Sequence, residues 1–223
     1  MPVDLWWAET SHFDDRMVGA LTAEERTRWA AVRRVDDRRR FALGALLLRR
    51  AAADHLDLAP GAVPVERTCS RCGAAHGRPR LPGSGLHASV THSGGLVGVA
   101  IAAGAPVGLD VEEDTAPDAH PRRRSVVRRV VSGAEPAPRT TQEFLRYWTR
   151  KESVVKATGV GLTIDLRSVL VSGPQEAPAL LGYRGRTPAA SMLDLEPATG
   201  YVAALTVLVA GGIDATHRFP AVL

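Results

Sequence analysis

Two helix-start boxes, one in each half of the chain, divide it into blocks and limit its fold more than any other feature. Thr22-Ala-Glu-Glu25 and Thr140-Thr-Gln-Glu143 both set a hydroxyl three residues before a glutamate. In that pattern side chains satisfy the N–H groups that a first helical turn leaves over. Before the first box, Val3 to Trp7 alternates as a strand does. The first box predicts a helix to about Arg34, and Asp36 or Asp37 opens a second. That second helix sets Phe41, Leu43, Leu46, Leu47 and Leu48 against Arg38, Arg39, Arg40, Arg49 and Arg50. A turn-rich stretch follows from about Ala59 to Gly85. Leu96 to Ala102 then reads as a buried strand, and Val107 to Val111 as another after the Gly104-Ala-Pro106 turn. The second box opens a helix with Phe144, Leu145, Trp148 and Val155 at helical spacing, closed by Gly159-Val-Gly161. Ser168 to Val171 and Tyr201 to Val209 alternate like antiparallel strands. This order predicts an α+β fold whose two similar halves meet near Gly104 to Pro106, although the residues carry no internal repeat.

Composition excludes some classes. At 223 residues the chain can bury a core as one domain or two small ones, and 45% hydrophobic against 23% charged residues excludes a disordered chain. A net charge of +4 suits an acidic partner such as a phosphate-rich ligand. The start of the chain has no basic segment leading into an apolar run, and the longest apolar window, roughly Gly94 to Val107, is too short for a membrane span. A cytoplasmic protein with no membrane partner is expected. Cys69, Cys72 and His76 look like half a zinc ribbon. Structural zinc takes four ligands and no second pair follows, so a tight turn with reduced thiols is expected unless Asp or a distant His completes a site.

Of 28 basic residues only two are lysine, Lys151 and Lys156, and both lie in one short stretch. Arginine is a planar fork, whereas lysine is a compact point charge suited to a phosphate oxygen, so this stretch is a candidate for chemistry. In a helix, Trp148, Glu152 and Lys156 share a face. Taken alone, Glu152 and Lys156 are an ordinary surface pair beside a core tryptophan. In Gly108-Leu-Asp-Val-Glu112, period two on a strand sends Asp110 and Glu112 to one side, where two carboxylates repel unless a cation lies between them. Ser89-Val-Thr-His-Ser-Gly-Gly95 joins small hydroxyls and a histidine to two glycines, so that a backbone can approach a phosphate closely at a turn. No nucleophile elbow surrounds Ser93. Three carboxylates with one lysine describe a magnesium-dependent diphosphate site.

The three blocks, in this order, resemble the surfactin-type 4′-phosphopantetheinyl transferases. That family carries a histidine-serine block, then G-[IV]-D-x-E, then W-x-x-K-E-[SA]-x-x-K. Here they stand as Thr91-His-Ser-Gly94, Gly108-Leu-Asp-Val-Glu112 and Trp148-Thr-Arg-Lys-Glu-Ser-Val-Val-Lys156. The resemblance extends over nearly the whole chain, through Asp37-Arg-Arg-Arg40 and Gly77-Arg-Pro79. It implies two similar, pseudo-twofold-related subdomains, each an antiparallel sheet packed with helices, with the active site at their interface. Residues 1–105 would form the coenzyme A nucleotide side, and residues 106–223 would carry the magnesium and catalytic motifs.

The same resemblance implies that Asp110, Glu112 and Glu152 hold Mg²⁺ and that Lys156 contacts the diphosphate. Glu152 would help deprotonate the attacking serine, directly or through water. Thr91 and His92 would bind phosphates of coenzyme A, Arg40 its 3′-phosphate, and Arg78 the nucleotide. Glu135 matches a glutamate placed near the metal. Phe41 departs from the pattern, standing where a related enzyme has threonine, and the early basic contact is left open among Arg26, Arg28 and Arg33. The implied reaction moves phosphopantetheine from coenzyme A to a serine of an acyl or peptidyl carrier protein. Fatty-acid, polyketide and non-ribosomal-peptide carriers are not distinguished. The basic stretch Arg122 to Arg129 would steer docking, or else form a solvated helix face. A monomer is expected. Two other readings compete: a nucleic-acid-binding module using the arginine runs, which leaves the three carboxylates unexplained, and a magnesium-dependent phosphohydrolase, which needs no carrier protein.

Overall fold

The computed structural model describes residues 1–69, 72–75, 77–115, 123–161 and 164–220, with Arg123 and Arg124 described as backbone only. The chain divides into two compact units: Pro2–Gly104 with the segment that begins at Asp214, and Ala105–Ile213 with Met1.

In the first unit, β1 (Pro2–Glu9) is followed by α1 (Ala23–Ala31), α2 (Val35–Leu56), β2 (Leu86–Ser93) and β3 (Leu96–Ala103). The capping box at Thr22 forms in full: its side chain accepts from Glu25 N, and the Glu25 carboxylate accepts from Thr22 N. α1 nevertheless ends at Ala31, short of the predicted Arg34, because the chain turns there to enter α2. β3 pairs antiparallel with both β1 and β2, and β9 (Asp214–Arg218) adds to the free edge of β1 in parallel. α2 lies on one face of this sheet, where Leu43, Leu47 and Ala51 bury against Trp6, Val97, Val99 and Ile101. Each large aliphatic side chain so buried contributes about 2 kcal/mol. Gly44 eases the approach, since a Cβ there would lie 3.2 Å from a Val90 methyl, a tight contact.

The turn expected around His92 is a strand. Leu86, Ala88 and Val90 alternate with His87, Ser89, Thr91 and Ser93, so β2 runs to Ser93 and only Gly94 and Gly95 form the turn into β3. The small hydroxyl residues hid an ordinary period-two pattern.

In the second unit, β4 (Val107–Glu113) is followed by α3 (Arg123–Val130) and α4 (Thr141–Thr158), then β5 (Val169–Val171), β6 (Leu180–Tyr183), β7 (Ser191–Leu195) and β8 (Tyr201–Val207). β8 lies between β4 and β7 with antiparallel pairing throughout, and β5 and β6 form a separate ribbon. Thr140 caps α4 by accepting from Glu143 N, but the Glu143 carboxylate reaches Arg139 N instead of the cap, so this box closes one residue early. Gly159, at φ 74°, ends the helix in the left-handed region where glycine carries no penalty. Tyr147, Val154 and Val155 of α4 bury with Val169, Val171, Leu180 and Met192. The α+β expectation holds, with antiparallel sheets packed against helices. No helix among the described residues is long and apolar enough to cross a membrane.

Candidate active site

The site in the second unit is built where α4 meets β4, and Gly108 sets how close they come. A Cβ at Gly108 would lie 1.9 Å from the Ser153 carbonyl oxygen and 2.5 Å from Ala157 N. Only hydrogen fits there, so the helix backbone rests directly on the strand. Alternation places Asp110 and Glu112 on the same side of β4 as Gly108. A hydrogen bond of 2.7 Å between the Ser153 and Thr206 hydroxyls ties the same turn of α4 to β8.

From α4, Glu152 and Lys156 then face the two strand carboxylates. Lys156 Nζ donates to Asp110 Oδ1 at 2.7 Å and to the Leu109 carbonyl at 3.0 Å. Glu152 is 5% exposed, and its Oε1 is buried with no hydrogen-bond partner among the described residues. Burial pushes the Glu152 carboxyl from its ordinary 4.5 up to about 7; the negative charge of Asp110 adds to the shift, Lys156 opposes it, and Glu112 contributes last. Asp110, Glu112 and Glu152 thus lie within electrostatic reach of one another and of Lys156.

No three His, Cys, Asp or Glu side chains converge as a ready-made metal cluster among the described residues. The donor set nevertheless suits a hard cation: all three candidates are carboxylates, and one buried carboxylate oxygen has no donor to bind. Mg²⁺ therefore fits the donor chemistry of Asp110, Glu112 and Glu152.

The second lysine has a different task from the first. Lys151 is fully buried, and its Nζ donates to Glu135 Oε2 at 2.6 Å, Val130 O at 2.8 Å and Leu166 O at 3.2 Å. Burial pulls its pKa down and Glu135 opposes that. The carboxylate of Glu135 also accepts from Ser132 N and Val171 N, so it anchors α4 and the end of β5. Neighbouring Arg150, also fully buried, pairs with Asp194 through two hydrogen bonds of 2.9 and 2.6 Å and donates to the carbonyls of Ser172, Gly173 and Glu176. Sequence reasoning missed both anchors. Two consecutive charged residues inside an apolar helical pattern were the available signal.

The remaining predicted residues lie in the first unit. Arg40 Nε donates to the Gly94 carbonyl at 2.7 Å, and its guanidinium pairs with Asp37 at 2.8 Å, which brings it to the β2–β3 turn. Thr91 is buried and His92 exposed, and as consecutive strand residues they project to opposite faces of β2. Arg78 is half-buried, and burial followed by the charge of Arg80 lowers its pKa; burial, and then the charge of Arg78, lowers that of His87. Near the two cysteines, Gly73 N donates to the Cys69 carbonyl at 2.9 Å. His76 lies outside the described residues.

Residues 106–206, which hold the whole α4–β4 site, match the family model of the 4′-phosphopantetheinyl transferase superfamily. A 4′-phosphopantetheinyl transferase of Bacillus subtilis is 28% identical over 166 residues, covering 71% of this chain and 69% of the relative. The 4′-phosphopantetheinyl transferase HetI of Nostoc sp. (strain PCC 7120) is 29% identical over 204 residues, 86% of this chain and 80% of its own. The 4′-phosphopantetheinyl transferase psf-1 of Bacillus pumilus is 29% identical over 171 residues, 72% of this chain and 67% of its own. Over these residues the chain is similar to the 4′-phosphopantetheinyl transferases.

Proposed function

We propose that the chain moves 4′-phosphopantetheine from coenzyme A to a serine hydroxyl of an acyl or peptidyl carrier protein, releasing adenosine 3′,5′-bisphosphate. The observation that carries this reading is the buried carboxylate of Glu152, held up at about 7 beside Asp110, Glu112 and Lys156. A carboxyl poised near neutral pH can accept the proton of an alcohol as that alcohol attacks. The serine oxygen forms a bond to the β-phosphorus of coenzyme A, and the bond from that phosphorus to the bisphosphate leaving group breaks. Glu152 takes the serine proton, directly or through one water. Lys156, paired to Asp110, contacts the diphosphate as a point charge. Mg²⁺, held by Asp110, Glu112 and Glu152, would neutralise the diphosphate and the charge that develops on it.

Arg40, Arg78, Thr91 and His92 are assigned to the nucleotide end, with Arg40 on the 3′-phosphate. In support, Arg40 is already fixed by Asp37 and the Gly94 carbonyl. Carrier proteins are acidic around the modified serine, and Arg128 and Arg129 of α3 are exposed beside Val126 at 38% exposure. Arg122 of that basic stretch lies outside the described residues.

Release of adenosine 3′,5′-bisphosphate, followed by chromatography with and without apo carrier protein, tests the reading. The proposal requires release only when carrier, coenzyme A and Mg²⁺ are all present. Release without carrier would indicate a phosphohydrolase. No turnover on any carrier, with tight salt-sensitive binding to DNA or RNA, would favour a nucleic-acid module.

A further inference from the structure

The turn of α4 that carries Glu152 is pinned at the next residue, Ser153. Gly108 of β4 and Thr206 of β8 are direct partners in the strand pairing, so they share one face of the sheet. Ser153 sits over that single pair. Its carbonyl oxygen rests on Gly108, where a Cβ would come within 1.9 Å, and its hydroxyl meets the Thr206 hydroxyl at 2.7 Å. Ser153 and Thr206 are both fully buried.

Counting hydrogens fixes the direction of the Ser153–Thr206 bond. The Ser153 hydroxyl has one proton, and it goes to the Arg150 carbonyl at 2.7 Å, an oxygen that can only accept. Thr206 is therefore the donor and Ser153 Oγ the acceptor. A serine bonded back to the carbonyl three residues earlier also sets the local bend of its helix. The Thr206 proton thus acts on the α4 backbone beside Glu152.

The two charged side chains that α4 gives to the site depend on that backbone to different degrees. Lys156 has its own ties to β4, donating to Asp110 Oδ1 at 2.7 Å and to the Leu109 carbonyl at 3.0 Å. Glu152 Oε1 is buried with no hydrogen-bond partner among the described residues, so the place of the carboxylate follows from the helix backbone. The seat on Gly108 is a single point: it sets how near α4 lies to the sheet but not its rotation about its own axis. Arg150 and Lys151 hold the same helix through long side chains, which follow a small roll. The Thr206 bond joins two short side chains on adjacent elements and does not.

We infer that Thr206 is a positioning residue for the reaction: by donating to Ser153 it fixes the rotation of α4 that aims Glu152 at the attacking hydroxyl. This role rests on the function proposed above, in which Glu152 takes the serine proton. It concerns the chemical step and not the binding of coenzyme A, because Lys156 keeps its own ties to β4.

The test measures kcat and KM on apo acyl and peptidyl carrier proteins with coenzyme A and Mg²⁺, and coenzyme A affinity by titration calorimetry. Wild type, Thr206→Val, Thr206→Ser, Ser153→Ala and the double variant Ser153→Ala/Thr206→Val are compared, each well below its melting temperature. Thr206→Val keeps the shape and removes the proton. It should lower kcat by roughly tenfold, with KM and coenzyme A affinity within about twofold of wild type. Thr206→Ser keeps the proton and should hold kcat within about twofold. The double variant should be no slower than the slower single variant, because both changes break the same bond. If Thr206→Val does not fold, the double variant, which leaves neither hydroxyl unpaired, must show the same loss of kcat. An unchanged kcat without the Thr206 proton, a Thr206→Ser as slow as Thr206→Val, or an equal loss of coenzyme A affinity overturns the role and leaves the transferase reading standing. A wild type that modifies no carrier protein overturns both.

Discussion

Glu152 is a side chain that is poor for the fold and, on the proposed function, takes the serine proton. Its carboxyl titrates at about 7 in the folded chain against an ordinary 4.5, so protonation favours the fold. That contribution is complete at low pH and is lost as pH rises from the ordinary value through about 7. At about pH 8 the ionised group costs on the order of 3 kcal/mol at most. Glu152→Gln should therefore raise the melting temperature at about pH 8 in chelator, give little change near pH 4, and reduce turnover by roughly 10²-fold or more. Paired melting curves across pH check the first part, and a variant no more stable at high pH would contradict it. Lys151 should behave oppositely. Removing it as Lys151→Met strands the buried Glu135 charge and should cost about 3–5 kcal/mol in denaturant unfolding. Adding Glu135→Leu should recover much of that loss, because the uncompensated charge goes with it. Asp110, Glu112, Glu152 and Lys156 could be read from sequence because strand and helix periods place them on single faces. The Lys151–Glu135 pair could not, since its partners lie 16 residues apart in different elements, joined by packing that no local period records.

Among the elements, α4 carries the site on one side and is gripped on the others. Arg150 holds it to β7 and to the carbonyls of Ser172, Gly173 and Glu176, Lys151 holds it to Val130 and Leu166, and Ser153 holds it to β8. Gly108 sets the remaining distance, to β4. Gly108→Ala forces the methyl against backbone atoms that cannot rotate away, so helix and strand must separate. It should lower stability by about 1–3 kcal/mol and turnover by roughly 10²-fold, as misplacement by about 1 Å does. Thermal melts and initial rates would check both, and a rate loss no larger than the fraction unfolded would show that spacing is not the cause. α4 was legible in sequence from its cap, its helical spacing and Gly159. β2 was not, because Ser89, Thr91 and Ser93 resemble loop composition while supplying the polar half of a strand.

At the scale of the whole molecule, the last strand joins the first. β9 pairs in parallel with β1 across Pro2 to Trp6, Arg218 reaches Asp4 at 3.3 Å, and the Trp7 indole N–H donates to His217 at 3.3 Å. Parallel pairing between the two ends of a chain leaves no trace in a local pattern, so this contact was not legible at all. Deleting the chain from Asp214 onward should speed amide hydrogen exchange in β1 and leave α4 and β4 protected. Unchanged exchange in β1 would mean that β9 does not stabilise the sheet. On the proposed function, the α4–β4 carboxylates serve transfer to a carrier protein. The most direct measurement is the intact mass of an apo carrier protein after incubation with the chain, coenzyme A and Mg²⁺, repeated with chelator and with Glu152→Gln. The account predicts a gain of one phosphopantetheine that both controls abolish. An unmodified carrier with the wild-type chain, or full modification by Glu152→Gln, would contradict it.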